Sequence, residues 1–365
     1  MRGLIAGGFT VANVGLTGLT ARGFVPALGG RPDPASLTRS PQFRDGSFRN
    51  RARTRRVPPA DAAQVTAREF LFGGDQRKPL GPIPLVSASG ETELSPEGLH
   101  ITWYGHASSL VEIEGKRVLF DPVWSERASP STLIGPRRLH APPHRLEELP
   151  ALDVIAISHD HYDHLDMATV RTLARIQHAP FVVPLGVGAH LRAWGIPQSR
   201  IVELDWSEHT DVAGLRLTAA PAQHFSGRGL ARNNTLWASW VVAGANRTVF
   251  YSGDSGYFDG YREIGTQHGP FDATLIQVGA YNAGWPDIHM TPEEGVAAHR
   301  DARGGVLIPV HWGTFNLALH PWAEPADRVW AEAKAHEVAL AVPRPGERIN
   351  VDDAPPVDGW WQVLA

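Results

Sequence analysis

The chain has 365 residues and a formal net charge of −4, with 42% hydrophobic and 20% charged residues. This balance suits a globular protein with a substantial buried core, excludes disordered and fibrous classes, and gives a polyanion such as nucleic acid no global attraction. There is no cysteine, so disulfides, thiolate nucleophiles and iron–sulfur clusters are excluded, and any metal must sit on His, Asp or Glu.

Residues 1–30 form a weakly apolar N-terminal segment. Gly3 to Ala21 carries no charge between Arg2 and Arg22, roughly the length of a membrane span or signal core. Its glycines, with Thr10, Asn13, Thr17 and Thr20, weaken both hydrophobicity and helix propensity. The expectation is a cytoplasmic or membrane-associated protein, with export through this segment as the alternative. Residues 31–99 are rich in Pro, Gly and Arg and read as an irregular arm packed on the main domain. Its basic run, Arg44, Arg49, Arg51, Arg53, Arg55 and Arg56, reads as a solvated stretch with local carboxylate partners in preference to a phosphate-binding patch.

Residues 100–365 have the texture of an α/β domain, with short apolar runs that end in polar clusters and alternate with helical spacing. Strands are predicted at Ser109–Glu114, Arg117–Phe120, Val154–Ile157, Phe181–Val183, Leu215–Ala219, Leu236–Val242, Thr248–Tyr251, Ala273–Val278 and Val306–Val310. Helices are predicted at Asp166–Ile176, Pro292–Arg300 and Pro325–Ala335.

The run Val154–Ile157 leads directly into Ser158-His159-Asp160-His161-Tyr162-Asp163-His164. Histidines two apart on an extended segment point to one side, so His159 and His161 can share a metal, while the following turn brings Asp163 and His164 toward a second position. Two metals on imidazole and carboxylate usually need about seven protein ligands. The missing three are found after other strands: His224 beyond Leu215–Ala219, Asp254 beyond Thr248–Tyr251 and His311 beyond Val306–Val310. In open α/β sheets ligands gather beyond the carboxyl ends of strands, and every candidate occupies such an end.

His140, His144, His178, His190, His209, His268, His299 and His336 lack that context and read as surface or packing residues. His106 and His289 each end a glycine-punctuated turn, which suits a supporting or substrate-contacting role as well as a structural one.

The segments WYGHASSLVEIEG, FDPVWSERASPS, ISHDHYDHLD, LDWSE, QHFSGR, LWASW, GDSGYF, HMTPEEGV and HWGTF resemble, in this order, the metallo-β-lactamase superfamily. Within it they are most similar to the N-acyl-phosphatidylethanolamine-hydrolysing phospholipase D family and its bacterial relatives. The resemblance covers about Ile101 to Asn316. It implies a four-layer αββα sandwich with one metal on His159, His161 and His224, a second on Asp163, His164 and His311, and Asp254 bridging both. It further implies substrate contacts at Tyr162 and His289. Phe225 stands where the lipid-cleaving relatives tend to carry Trp, and the stretch from Asn282 to Asp287 departs from their pattern.

The function expected is that of a two-metal hydrolase in which a metal-bridging hydroxide attacks a phosphodiester of N-acyl-phosphatidylethanolamine or a related phospholipid, with contact to a membrane surface. Asp163 and Asp254 would fix the nucleophile and His289 would meet the substrate. Trp124, Trp237, Trp240 and Trp285 give weak support for an apolar substrate. The alternative is a metal-dependent hydrolase of a lactone, ester or amide; a di-iron redox protein ranks below both. Two divalent ions are expected, zinc first, with iron and manganese also suited to these ligands.

Overall fold

The structure, a computed structural model, describes residues 24–52, 76–87, 96–229 and 231–365. The apolar stretch Gly3–Ala21 and the residues Arg53, Arg55 and Arg56 lie outside the described residues. Among the described residues no helix is long and apolar enough to cross a membrane.

The arm contributes a small hairpin of β1 (Phe43–Arg44) and β2 (Ser47–Phe48). The first large sheet then forms from β3 (Leu99–Gly105), β4 (Ser108–Ile113), β5 (Lys116–Phe120), β6 (Val154–Ala156), β7 (Phe181–Pro184) and β8 (Ile201–Leu204). The second forms from β9 (His209–Val212), β10 (Leu215–Ala220), β11 (Ser239–Ala243), β12 (Thr248–Tyr251), β13 (Phe271–Gln277), β14 (Gly304–Val310) and β15 (Ala339–Leu340), after which β16 (Arg348–Asn350) returns to pair with β3. Each sheet changes character midway. β3 to β5 and β9 to β12 are antiparallel, whereas β5 to β8 and β12 to β15 are parallel.

Parallel neighbours need crossover connections, and helices within these crossovers are Met167–Ile176, Gly188–Ala193, Gly260–His268, Pro292–Asp301 and Glu324–Ala335. Asp166 caps the first through the amide of Ala168, and Thr291 with Glu294 forms a capping box on the fourth, where Pro292 occupies the first turn.

Side-chain alternation sorts the strands into two cores. Val111, Val118, Phe120, Val154, Ala156 and Val182 face inward and pack with Leu217, Val242, Tyr251 and Leu275 of the second sheet. Their neighbours Leu110, Leu119, Ile155, Phe181 and Val183 face outward onto Val170, Leu173 and Leu191 of the covering helices. The second sheet is covered by helices carrying Tyr261, Ile264, Val296 and Val329. The arrangement is thus sheet on sheet with helices outside, as the αββα expectation required.

Some elements differ from the sequence expectation. The strand expected to start at Leu236 starts at Ser239, because the amides of Leu236 and Ala238 bond to the carbonyls of Leu185 and Ser158 across the sheet ends. The strands β3, β8, β9, β15 and β16 and the helices Gly188–Ala193 and Gly260–His268 were not anticipated. β15 and β16 span only two and three residues, and β9 is largely polar.

Candidate metal centre

The strand ends β5, β6, β10, β12 and β14 meet at one edge of the two sheets. After β6 the chain turns sharply, with the amides of His164 and Leu165 both bonding to the carbonyl of His161. Asp160 points away from the histidines: its carboxylate accepts from the Gly227 amide and the Thr235 hydroxyl, and lies 3.2 Å from His190 Nε2. It anchors the loop and leaves the other polar residues of the run to face the site.

Those residues join the ones expected from elsewhere in the chain. His159 Nε2 lies 2.8 Å from His161 Nδ1, which lies 3.3 Å from His224 Nε2. Beside them Asp163 Oδ2 lies 3.4 Å from His164 Nε2 and 3.2 Å from His311 Nε2. Asp254 Oδ2 stands between the two groups, 3.1 Å from His164 Nε2 and 3.2 Å from His311 Nε2 on one side, 3.7 Å from His224 Nε2 and 3.9 Å from His159 Nε2 on the other. His289 Nε2 is 3.9 Å from the same oxygen. All seven residues expected to hold metal are therefore brought together, with His289 at their rim.

The ring orientations suit a cation. His164 Nδ1 lies 2.7 Å from Asp121 Oδ2, His224 Nδ1 2.9 Å from the Ile288 carbonyl, and His159 Nδ1 2.9 Å from Ser158 Oγ. A proton donated at Nδ1 leaves a lone pair at Nε2, so with a cation bound the inward nitrogens of all three rings would be lone-pair donors. Converging nitrogen lone pairs repel unless a positive ion lies between them. Among the described residues the buried His164 Nε2 and Asp254 Oδ1 have no hydrogen-bond partner, as expected of atoms kept for a metal. Nitrogen and oxygen donors of this kind fit zinc, iron or manganese.

Without a cation the charges redistribute among the side chains. Burial and neighbouring imidazoles hold His159 and His224 well below the usual histidine range. Burial likewise opposes charge on His311, but Asp254 and Asp163 prevail and push it up to about 9; His164 is also raised, chiefly by Asp254 and Asp163 against burial. Both carboxylates stay well below their ordinary values despite burial because of these imidazoles. A proton and a divalent ion compete here for the same lone pairs.

Backbone geometry explains the glycines of the Ser252–Gly256 loop. Gly253 has φ +55°, and a Cβ there would meet Ser158 Cβ at 2.7 Å. A Cβ on Gly256 would lie 2.0 Å from the carbonyl oxygen of Asp287, so only glycine lets the Asp254 loop touch the His289 loop. His106 and His311 are themselves left-handed, at φ +53° and +67°, a conformation uncommon outside glycine that surrounding contacts must maintain.

Two residues were underestimated by sequence. His106, left between structural and functional roles, lies inside the cluster: its Nε2 is 2.9 Å from Asp163 Oδ2 and its ring centroid 3.9 Å from that of His311. Burial, then His311, hold it down to about 3. Asp121, not singled out at all, is fully buried and accepts from Ser158 N, Ser158 Oγ and Tyr251 OH besides facing His164. It follows β5 directly, so the strand-end rule would have found it.

Of the four tryptophans expected to favour an apolar substrate, Trp124 and Trp285 are half-buried, Trp285 with its indole bonded to the Ala280 carbonyl, and the other two lie in the core. Trp237 and Trp240 are core residues with 1% and 0% exposure, and the indole of Trp124 bonds to the His144 carbonyl. Tyr162, expected to contact the substrate, is half-buried; its hydroxyl donates to the Arg228 carbonyl and its ring lies under the Arg228 guanidinium at 4.1 Å. His140 and His190, expected to be ordinary packing residues, are buried and paired with Thr314 and Asp160.

A two-sheet α/β sandwich with clustered imidazoles and carboxylates at the strand ends defines the class of metal-dependent hydrolases built on this fold. The model of the beta-lactamase superfamily domain matches residues 116–312. An uncharacterized protein of Mycobacterium tuberculosis (strain ATCC 25618 / H37Rv) is 48% identical over 359 residues, 92% of this chain and 94% of that one. The N-acyl-phosphatidylethanolamine-hydrolyzing phospholipase D 1 of Caenorhabditis elegans is 37% identical over 260 residues, 68% of this chain and 73% of the relative. The metallo hydrolase Igni18 of Ignicoccus hospitalis shares the fold, with a TM-score of 0.53 and 22% identity over 69% of this chain and 97% of that structure. The chain belongs to the metallo-β-lactamase superfamily and is a metal-dependent hydrolase of that family.

Proposed function

We propose that this chain hydrolyses a phosphodiester in the manner of a phospholipase D, on N-acyl-phosphatidylethanolamine or a related phospholipid. Two divalent ions would be held by His159, His161 and His224 and by Asp163, His164 and His311, with Asp254 shared. The observation that carries the two-site reading is the place of Asp254 Oδ2, within 3.9 Å of a ligand nitrogen on each side. The substrate class follows the C. elegans relative.

Divalent ions in such a site polarise a phosphoryl oxygen and make a water molecule nucleophilic at neutral pH. The protein's own groups would then orient the reactants. Asp254 stands in the middle of the cluster and Asp163 to one side, and His289, whose Nδ1 has no partner among the described residues, can hydrogen-bond a substrate oxygen. Tyr162 would shape the wall, since its hydroxyl is already committed. It lines a cavity of roughly 120 Å³ with Phe24, Ser125, Ser131 and Met167. Phe24 and Val25, and Leu133 and Ile134 just after the lining residues Ser131 and Thr132, are exposed apolar side chains, which supports contact with a lipid surface.

A second reading, hydrolysis of a compact lactone, ester or amide, is favoured by the Phe225 ring, which stands 4.5 Å from His161. Metal-loaded protein should release phosphatidic acid from vesicles containing N-acyl-phosphatidylethanolamine faster than it opens any member of a lactone panel. Inert vesicles beside brisk lactone turnover would replace the first reading with the second.

A further inference from the structure

His224 lies in the connection between β10 and β11, where no strand neighbour satisfies its backbone. A buried amide and carbonyl in such a loop must find partners elsewhere. Both are met by one side chain from the arm. Asn50 Nδ2 donates to the His224 carbonyl at 2.8 Å, and Asn50 Oδ1 accepts from the His224 amide at 3.1 Å. A carboxamide presents a donor and an acceptor side by side, so it pairs with a backbone unit as a strand would.

The same oxygen also accepts from the indole of Trp237 at 3.0 Å, but that indole reaches the Ala222 carbonyl at 3.0 Å as well. Loss of Asn50 would therefore leave Trp237 partnered and deprive His224 alone. The arm is seated independently of Asn50: Phe48 is fully buried and its amide bonds to the Asn233 carbonyl at 2.8 Å. Asn233 in turn accepts from the Ser226 amide through Oδ1. The His224 ring has a separate tether, Nδ1 to the Ile288 carbonyl. Backbone and ring are thus held from opposite segments of the chain.

We infer that Asn50 is a positioning residue for the first metal, holding the backbone of His224 so that Nε2 meets His159 and His161. The inference rests on the proposed ligand role of His224. Removing a group that orients a ligand typically weakens metal affinity ten- to hundredfold. The test is titration of the metal-free full chain with Zn²⁺ against a competing chelator dye, with the visible spectrum of the Co²⁺-loaded protein as a second readout. Asn50→Ala should weaken one of the two binding steps ten- to hundredfold and alter the Co²⁺ bands, leaving the other step unchanged. Asn50→Asp, which keeps the acceptor and sets a carboxylate oxygen against the His224 carbonyl, should weaken the same step. It decides alone if Asn50→Ala does not fold.

Arg51→Ala, which removes a contact to Glu263 only 3.4 Å away, should bind both ions normally. Unchanged affinity and spectrum in both Asn50 variants, even with lowered thermal stability, would reduce Asn50 to a structural tie and overturn the inference. His224→Ala distinguishes the ligand role of His224 from the positioning role of Asn50. Retention of both ions there would remove the ligand assignment itself, whereas loss of one ion in His224→Ala beside full binding in the Asn50 variants would overturn the Asn50 inference alone.

Discussion

Asp121 Oδ2 lies 2.7 Å from His164 Nδ1, and both side chains are fully buried. The carboxylate fixes the ring so that Nε2 faces Asp254, and Ser158 and Tyr251 fix the carboxylate. A carboxylate behind a histidine orients the ring and raises its basicity as a ligand. Asp121→Asn can still accept from Ser158 N but cannot draw the proton of His164 as strongly. Zinc affinity at the Asp163–His164–His311 position is expected to fall ten- to hundredfold while the other position keeps its ion. Equal affinity at both positions in isothermal titration would show that the pair is only a structural contact.

Asp254 makes the opposite prediction, because it faces both groups of nitrogens. Asp254→Ala should lower metal content from two ions per chain to one or none and abolish hydrolysis of every substrate class. Metal analysis of the purified variant, beside the parent, checks this. A variant that retains two ions and full turnover would place the shared ligand elsewhere.

Metal removal should act on stability as well as activity. Cations bind the folded cluster and stabilise it by mass action, roughly 2.7 kcal/mol per ion at a hundredfold excess over Kd. Chelation should therefore lower the melting temperature measurably, and zinc should restore it. His159→Ala should show a smaller zinc-induced rise than the parent, since one set of converging nitrogens is then incomplete. An identical rise in parent and variant would mean that the stabilising ion binds elsewhere.

Much of this site could be read from sequence because metal ligands are chosen by atom type and must lie where strands end. His159 to His164, His224, Asp254 and His311 all satisfy both conditions. Asp121 satisfies them too, yet a single aspartate after Phe120 looks like a turn residue until His164 is seen behind it. His106 was harder, since its place depends on a left-handed turn held by Trp103, Thr314 and His311. Asn50 was invisible: it sits in a Pro/Gly/Arg-rich segment, and its partner is a backbone 174 residues away. The edge strands were missed for a related reason. β9 alternates exposed and half-buried positions with Val212 as its one apolar residue, so its strand character comes from pairing with β10 and not from its own composition.

The contact of the Asp254 and His289 loops through Gly256 predicts a steric failure. In Gly256→Ala the new methyl would meet the Asp287 carbonyl oxygen at 2.0 Å, which is backbone and cannot rotate away. The cost is expected at about 1–3 kcal/mol, with His289 displaced and KM raised more than metal content is lowered. Wild-type kinetics in a variant of unchanged melting temperature would show that the loops separate freely.

The pH dependence of stability should carry the mark of two buried histidines outside the metal cluster. Burial, with Arg138 for His140 and Arg300 for His299, holds both rings down to about 4. In the unfolded chain they titrate near 6.5. Between those values the unfolded state takes up protons that the folded state refuses, so stability falls as pH drops from about 6.5 to about 4 and levels below it. Each ring accounts for a loss of about 3 kcal/mol over that interval. His299 bonds to Thr274 Oγ1, which Gln can still reach. His299→Gln should thus fold, and the difference between its urea-unfolding free energy and that of the parent should change across this window while the contribution of the metal ligands cancels. A difference that stays flat from pH 7 to pH 4 would show that His299 titrates normally in the folded protein.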